Sequence, residues 1–427
     1  MSSASVPQFT SRYTLRLIRR THDPYAALRI PAFRRFLIGH MTLNLGWQMQ
    51  KVAVGWEIYE RTGSAFYLGF AGLIQYLPMV AFTLIAGHIT DSYNRKRVLM
   101  SALGGNALAA LILALNSAVS GSLVVLYCCL FALGTARAFT MPARNAFLPR
   151  IVPLDIFSNA ASWNSSMFEV ATMTGPAIGG LLIGIFRSAT LNYAVAAMGA
   201  LTFFLLTSGI RYRHKAQERP SLTLHSLSAG FRYVWQKKVI LSAIILDMFG
   251  VLLGGATALM PIYAKDILHV GPRGLGWLMA APSIGAVSMA VAQAHRGPAR
   301  RAGRLLLFAV AGFGTVTVVF GISKNFWLSM CMLCVLGACD NISVVIRNTL
   351  VQLLTPDEMR GRVSALNALF IGTSNELGAF ESGVVAGFFG PVFSVVAGGI
   401  GTIIVVLTVA GLFPQLRSFG RLDLPKY

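Results

Sequence analysis

Six of the chain's 15 acidic residues fall inside long apolar runs: Glu57, Glu169, Asp247, Asp340, Glu376 and Glu381. A carboxylate surrounded by hydrocarbon is costly unless it is protonated, paired or wetted by an internal cavity, so each is a functional candidate. Such groups suit the binding and release of a proton as their access to water alternates. Two cations share the setting, Lys51 and Arg137. Asn44, Gln48 and Lys51 follow at spacings of four and three, which puts them on one helix face. A cation at that depth needs an acid, and Glu169, Glu376 and Glu381 are its candidate partners; the alternative is a side chain that snorkels to the outer surface.

The acids differ in their surroundings. Ser162, Ser165, Ser166, Glu169 and Thr172 form a polar stripe at helical spacing. Glu169 is there either to handle substrate or a proton, or as a carboxylate neutralised by a Lys or Arg for packing. Glu376 and Glu381 lie five residues apart, about 140° around a helix, so one cavity cannot receive both squarely. Glu381 is in line with Asn367 and Ser374 and is the expected cavity residue. Asp247 either carries a proton or pairs with an Arg near the cytoplasmic side. Glu57, close to the outer end of its run, is expected to be solvated.

The elements that must position these groups are membrane spans. Of 427 residues, 55% are hydrophobic and 12% charged, and a soluble protein this apolar could not hide its surface. Runs of about 20 apolar residues recur without strand-like alternation, which predicts transmembrane helices rather than a barrel. They fall near 34–59, 66–88, 98–118, 122–143, 159–186 and 188–210, and again near 239–264, 272–295, 304–322, 326–346, 362–388 and 391–413. The expected organisation is a tail (1–33), a six-helix bundle (34–210), a linker (211–238), a second bundle (239–414) and a tail (415–427).

The net charge of +21 is topology rather than a nucleic-acid footprint. Of 36 Lys and Arg, 29 cluster at one side of these spans, counting Arg144 and Arg347, and five (Arg61, Arg187, Lys265, Arg273, Lys324) at the other. This asymmetry assigns the basic side and both termini to the cytoplasm, in a multi-pass cell (inner) membrane protein. The five cysteines lie in apolar spans, and Cys331 and Cys334 lack the further ligands a zinc or redox site needs. No phosphate-cradling Gly-Lys-Ser/Thr loop is present, so ATP is not the expected energy source. No enzyme chemistry, cofactor or metal is expected.

The two halves repeat. Arg144-Asn145 and Arg347-Asn348 are 203 residues apart, and the same offset relates Asn164 to Asn367, Gly175 to Gly378, Gly180 to Gly383 and Gly184 to Gly387. Two related bundles with a site between them is transporter architecture. The offset also relates Arg137 to Asp340, each seven residues before the repeated Arg. Opposite charges at equivalent positions suggest a gate that forms and breaks between the halves; the competing reading pairs Asp340 with Arg347 inside one half.

Residues Gly87 to Arg97 join the second and third spans. Gly87 is expected to let a helix end approach a neighbour, Asp91 to cap the next helix, and Arg95 to reach Asp91 or a neighbouring helix end. Asn94 tolerates a left-handed turn. This stretch resembles the signature loop of the major facilitator superfamily, with Ser92 and Asn94 where Arg and Gly are common. Thr174-Gly175-Pro176-Ala177-Ile178-Gly179-Gly180 resembles the Gly-Pro motif on the fifth helix of the superfamily's antiporters. Asp23 to Arg29, Arg137-Ala138-Phe139, Thr355 to Val363 and Ser374 to Gly378 resemble the branch that exports enterobactin and macrolides.

The resemblance implies an all-α fold of twelve transmembrane helices in two pseudo-symmetric bundles, with the first helix lining a central cavity. It further implies a monomeric, proton-coupled exporter of small amphipathic compounds, with a small-molecule substrate, protons and the lipid bilayer as its partners. A facilitator or importer of a metabolite, a lipid transporter of the same fold, and a transport-inactive scaffold or receptor remain the alternatives.

Overall fold

The computed structural model describes residues 23–212, 231–295 and 301–420. The first 22 residues, most of the expected linker and the last seven residues lie outside the described residues, as does the side chain of Asp91. Among the described residues are twelve long helices and no strand. The first six are α1 (Pro31–Thr62), α2 (Ala65–Ser92), α3 (Arg95–Ala118), α4 (Leu123–Ile151), α5 (Phe157–Phe186) and α6 (Thr190–Ser208). The second six are α7 (Lys238–Leu253), α8 (Gly271–His295), α9 (Ala302–Ile322), α10 (Phe326–Leu354), α11 (Asp357–Phe389) and α12 (Pro391–Leu412).

Among the described residues, ten helical segments are long and apolar enough to cross a membrane. The two that fall short, α1 and α11, interrupt their apolar runs with polar and charged side chains, among them Lys51, Glu57, Glu376 and Glu381. Hydrocarbon excludes such groups, so these helices must turn their polar faces to protein or water.

The turn after α2 departs from expectation. Helix α2 runs on to Ser92 and α3 starts at Arg95, leaving Tyr93 and Asn94 between them. Asn94 is extended (φ −65°, ψ 108°), not left-handed, and its side chain accepts from the backbone N–H groups of Lys96 (3.0 Å) and Arg97 (3.3 Å). The cap expected of Asp91 is therefore made by Asn94, which the helix start places in capping position. Arg95 is buried. A neighbouring helix end is reached by Lys96, whose Nζ donates to the carbonyls of Ser208 (2.7 Å) and Ile210 (2.8 Å) at the end of α6. A side chain at Gly87 would meet nothing within 4 Å, so the close approach expected there is not made in this conformation.

Each half packs on itself in the same way: α1 on α5 and α6, α2 on α4, α3 on α4 and α6; then α7 on α11 and α12, α8 on α10, α9 on α10 and α12. The halves meet through two equivalent pairs, α2 with α11 and α5 with α8. Both pairs cross on glycine. A Cβ on Gly383 would lie 2.7 Å from the Cα of Gly69, and a Cβ on Gly180 would lie 2.7 Å from the Cα of Gly276. The repeat of Gly180 at Gly383 thus has a physical reason, since only hydrogen fits where two backbones touch.

The apolar core shows where the halves join. Towards the end holding Arg61, Lys265 and Arg273, one continuous cluster takes Val52, Trp56 and Ile58 from α1 together with Met260, Ile262 and Leu275 from the second half. Towards the basic end the cores are separate. Phe33, Phe36, Leu99, Phe147 and Phe203 form one within the first bundle. Leu306, Leu350 and Val406, and separately Ile240, Val351 and Val363, form those of the second.

The seventh span, expected to run unbroken over 239–264, is interrupted. Helix α7 ends at Leu253, a 3-10 turn covers Ala256–Leu259, and after Met260–Ile262 the chain winds as a π turn over Tyr263–Ile267. Gly254-Gly255 and Pro261 are the local cause, since neither residue type favours a helix interior.

Filling a glycine crossing overpacks it, at a cost of about 1–3 kcal/mol. Gly383→Leu is expected to lower the thermal unfolding midpoint in detergent accordingly, while Gly87→Leu leaves it unchanged. Equal midpoints for the two variants would mean that the α2–α11 crossing is not the tight contact described.

Candidate functional site

The two bundles keep separate cores toward the basic end and share one core toward the other. Among the described residues, the hydrogen bonds that join the halves are two. Tyr76 and Thr373 share one at 2.7 Å, halfway along α2 and α11. At the shared-core end the Tyr59 hydroxyl donates to Asp266 Oδ2, and Lys265 Nζ sits 5.5 Å above the Tyr59 ring. The π turn is what swings Asp266 and Lys265 toward α1, a common use of such turns.

Glu376 lies at the α2–α11 contact between the bundles. Its Oε2 is 3.3 Å from the place a Cβ on Gly72 would take, so the absent side chain leaves room for the carboxylate. Lys51 and Arg137, both from the first bundle, act on it electrostatically across the interface. Arg137 is held by Trp47, its guanidinium carbon 5.1 Å from the ring centroid, and Trp47 Nε1 donates to Asn106 at 3.4 Å. Lys51 is exposed. Of the three acids open to Lys51, the structure brings Glu376 to the cations. Glu381 is turned the other way around α11 and is bonded by Ser382 Oγ at 3.4 Å.

Glu169 is exposed on α5, in helical register with Pro176 and Gly180, the residues that pack against α8 nearer the shared core. The polar stripe with Ser162, Ser165 and Ser166 therefore continues that face toward the basic end, where it is exposed. Gln48 Nε2 donates to Thr172 Oγ1 at 3.1 Å, and a Cβ on Gly175 would lie 2.6 Å from Gln48 Cβ, so Gln48 belongs to the α1–α5 contact. Asn44 is buried and donates to the carbonyl of His40 at 2.8 Å. Of the three residues on the face expected to line the cavity, Lys51 is exposed, Gln48 is engaged by α5 and Asn44 is buried.

The expected gate pair is not formed. Arg137 rests on Trp47, and Asp340 lies inside the second bundle, between α7, α9 and α10. Nor does Asp340 pair with Arg347. Arg347 is buried and forms its ion pair with Asp247 on α7. Its repeat mate Arg144 donates instead to His40 Nε2 on α1. Both were counted with the basic residues at the membrane surface; α4 and α10 continue past their apolar runs, so both guanidiniums point into their own bundles. Glu57 is a further correction. It is 5% exposed rather than solvated and forms an ion pair with Arg61, which also donates to the carbonyl of Gly121 at 2.8 Å.

Trp47, His40, Tyr59 and Asp266 had no signal of their own in the sequence. Tyr59 lies two residues beyond Glu57 and Asp266 follows Pro261 by five, and nothing local joins them. The Gly254-Gly255 break could have shown that the seventh span bends there.

A family model described as a transmembrane secretion effector matches residues 22–425. The chain is 26% identical over 394 residues to the enterobactin exporter EntS of Shigella dysenteriae serotype 1, covering 92% of this chain and 94% of that protein. The enterobactin exporter of Citrobacter koseri gives the same identity and coverage. The fold matches the nucleoside transporter NupG with a TM-score of 0.65 at 13% identity, over 91% of this chain and 99% of that one. It matches a bacterial homologue of the human lysosomal transporter Spinster, inward-facing and unoccupied, with a TM-score of 0.69 at 14% identity, over 90% and 98%. A D-xylose–proton symporter gives 0.66 at 12% identity, over 92% and 98%. At these identities the structural likeness concerns the fold.

Breaking one partner from a buried ion pair costs about 3–5 kcal/mol. Arg347→Met is therefore expected to lower the unfolding midpoint markedly, and Arg144→Met less, since the His40 it leaves behind need not carry charge. A milder effect of Arg347→Met than of Arg144→Met would contradict the pairing.

Proposed function

Because the chain belongs to the transmembrane secretion effector family of the major facilitator superfamily, we propose that it is a proton-driven exporter of small amphipathic molecules, with siderophores of the enterobactin kind as the leading substrate class. The observation that carries this reading is that the bundles share one apolar core at one end and keep separate cores at the other, which leaves a crevice between them open at the basic end, with Glu376 under the charges of Lys51 and Arg137. The substrate class comes from the enterobactin exporters that match the chain along nearly its whole length.

With the basic end assigned to the cytoplasm, the conformation is open inward, ready to load from the cell interior. Both termini then lie in the cytoplasm. Export needs the bundles to rock so that the cytoplasmic ends close and the shared core parts. The two glycine crossings are the pivots, because small residues let helices roll without a clash.

Inside the crevice the first bundle offers cations and the second an acid. An anionic or hydrogen-bonding substrate competes with Glu376 for Lys51 and Arg137. The Trp47 ring gives an aromatic or apolar portion a surface to lie on. Protonating Glu376 or neighbouring carboxylates removes the attraction that holds the halves as they are. Substrate and proton therefore bias the same interface, which is what coupling requires. The single chain encloses the crevice, so a monomer is sufficient.

The test is transport in proteoliposomes loaded with a pH-sensitive dye. Enterobactin moved against its gradient, with protons moving the opposite way, is the expected result. Glu376→Gln and Lys51→Ala should each reduce the rate at least tenfold at equal protein. Enterobactin flux that runs only downhill and ignores the pH gradient would make the protein a facilitator.

A further inference from the structure

The second bundle holds a group of charges apart from the crevice. Asp247 on α7 and Asp340 on α10 line one small pocket, with Leu246, Gly250, Val310 and Phe313 supplying apolar walls. Asp247 is occupied by Arg347. Asp340 makes no hydrogen bond or ion pair among the described residues. One turn along α10 from it, Ser343 is 3% exposed and its hydroxyl has no partner. The group thus counts two carboxylates and one guanidinium, the guanidinium taken by Asp247, and these charges cancel only when one proton is bound.

No other charge on the neighbouring helices alters this count. On α7 the remaining ionisable residue is Lys238, at its first position. On α9 it is Arg304, in the first turn at the basic end, with Arg301 just before. On α8 they are Arg273 and His295, at opposite ends. Glu376 and Glu381 on α11 do not line the pocket; Arg360 and Arg362 lie in the first two turns of α11, with Asp357 and Glu358 at its first two positions. On α10 itself, besides Arg347, Cys339 lines the pocket, and its thiol is a poor match for a carboxylate.

We propose that Asp340 is the proton-binding group of the second bundle, with the Asp247–Arg347 ion pair setting its affinity. With the proton in place, Asp340 is neutral and the Asp247–Arg347 ion pair is undisturbed. When Asp340 gives its proton to water, two carboxylates compete for one guanidinium, and α7 and α10 can no longer sit as they do. The first bundle has no counterpart, because Arg137 stands at the equivalent position and Asn44 at that of Asp247. One proton is therefore handled per molecule at this site. Its role in driving transport rests on the proton-driven reading above; the binding of the proton does not.

Infrared pH-difference spectra of the purified protein in nanodiscs test the binding directly. Wild type should show carboxylic C=O bands that disappear as pH rises, one of which remains in Glu376→Gln. Asp340→Asn, which keeps the shape of the side chain, should lack that band. Asp247→Asn frees Arg347 to act on Asp340, and the proton affinity reported by the band should fall at least tenfold. Persistence of the band in Asp340→Asn, or an unmoved titration in Asp247→Asn, would overturn the assignment. In proteoliposomes, Asp340→Asn should keep downhill enterobactin exchange and lose accumulation driven by a pH gradient. Retained gradient-driven accumulation would overturn it too. A wild type that titrates as expected yet moves no protons with enterobactin would instead overturn the proton-driven reading and leave the site in place.

Discussion

Hydrocarbon solvates neither charge nor bare backbone, and the arrangement of this chain follows from that constraint. Every ionised group at membrane depth has to be matched by protein or reached by water. The apolar faces of the twelve helices are spent on lipid and on the cores, so the polar faces of α1, α5, α10 and α11 are left to meet inside. Lys51, Arg137 and Glu376 gather between the bundles, and Asp247, Asp340 and Arg347 gather within one of them. The first group lies on the seam that opens, and the second lies behind it. That division separates the residues within reach of a solute from those that sense only the packing of α7 against α10.

Closure at one end and separation at the other have the same origin. Where both halves supply small or apolar side chains, as at Gly69 with Gly383 and Gly180 with Gly276, the backbones touch and the cores merge. Nearer the basic end α5 carries Ser162, Ser166 and Glu169 instead, and this stretch stands exposed. An interface that is dry at one end and polar at the other can be reopened from the polar end at little cost. The dry end must exchange its contacts for others.

Much of this was legible in the sequence. The spans, their number and the repeat follow from hydropathy and from the 203-residue offset, both of which are local or periodic properties. Partnership was not. Asp91 and Asn94 are both good caps, and the choice depended on where α2 stopped. Glu376 and Glu381 share a helix, and which one meets Lys51 depends on how α11 is rotated against α2. Arg137 and Asp340 are equivalent by symmetry, yet equivalent positions in two bundles face each other only in one conformation. Arg347 found Asp247 because α10 remained helical beyond its apolar stretch, an outcome set by the inward direction of its polar side chains.

The break in α7 ties two helices together. Past Leu253 the chain loses regular helical bonding while still at membrane depth, and such backbone must be kept away from lipid. Helix α11 provides the shield: a Cβ on Gly378 would lie 2.6 Å from the carbonyl of Leu252. If α11 slid off, bare amides and carbonyls would meet acyl chains. The break in α7 and the glycine on α11 that covers it thus form one joint, and separating the two helices would carry the cost of bare backbone in lipid.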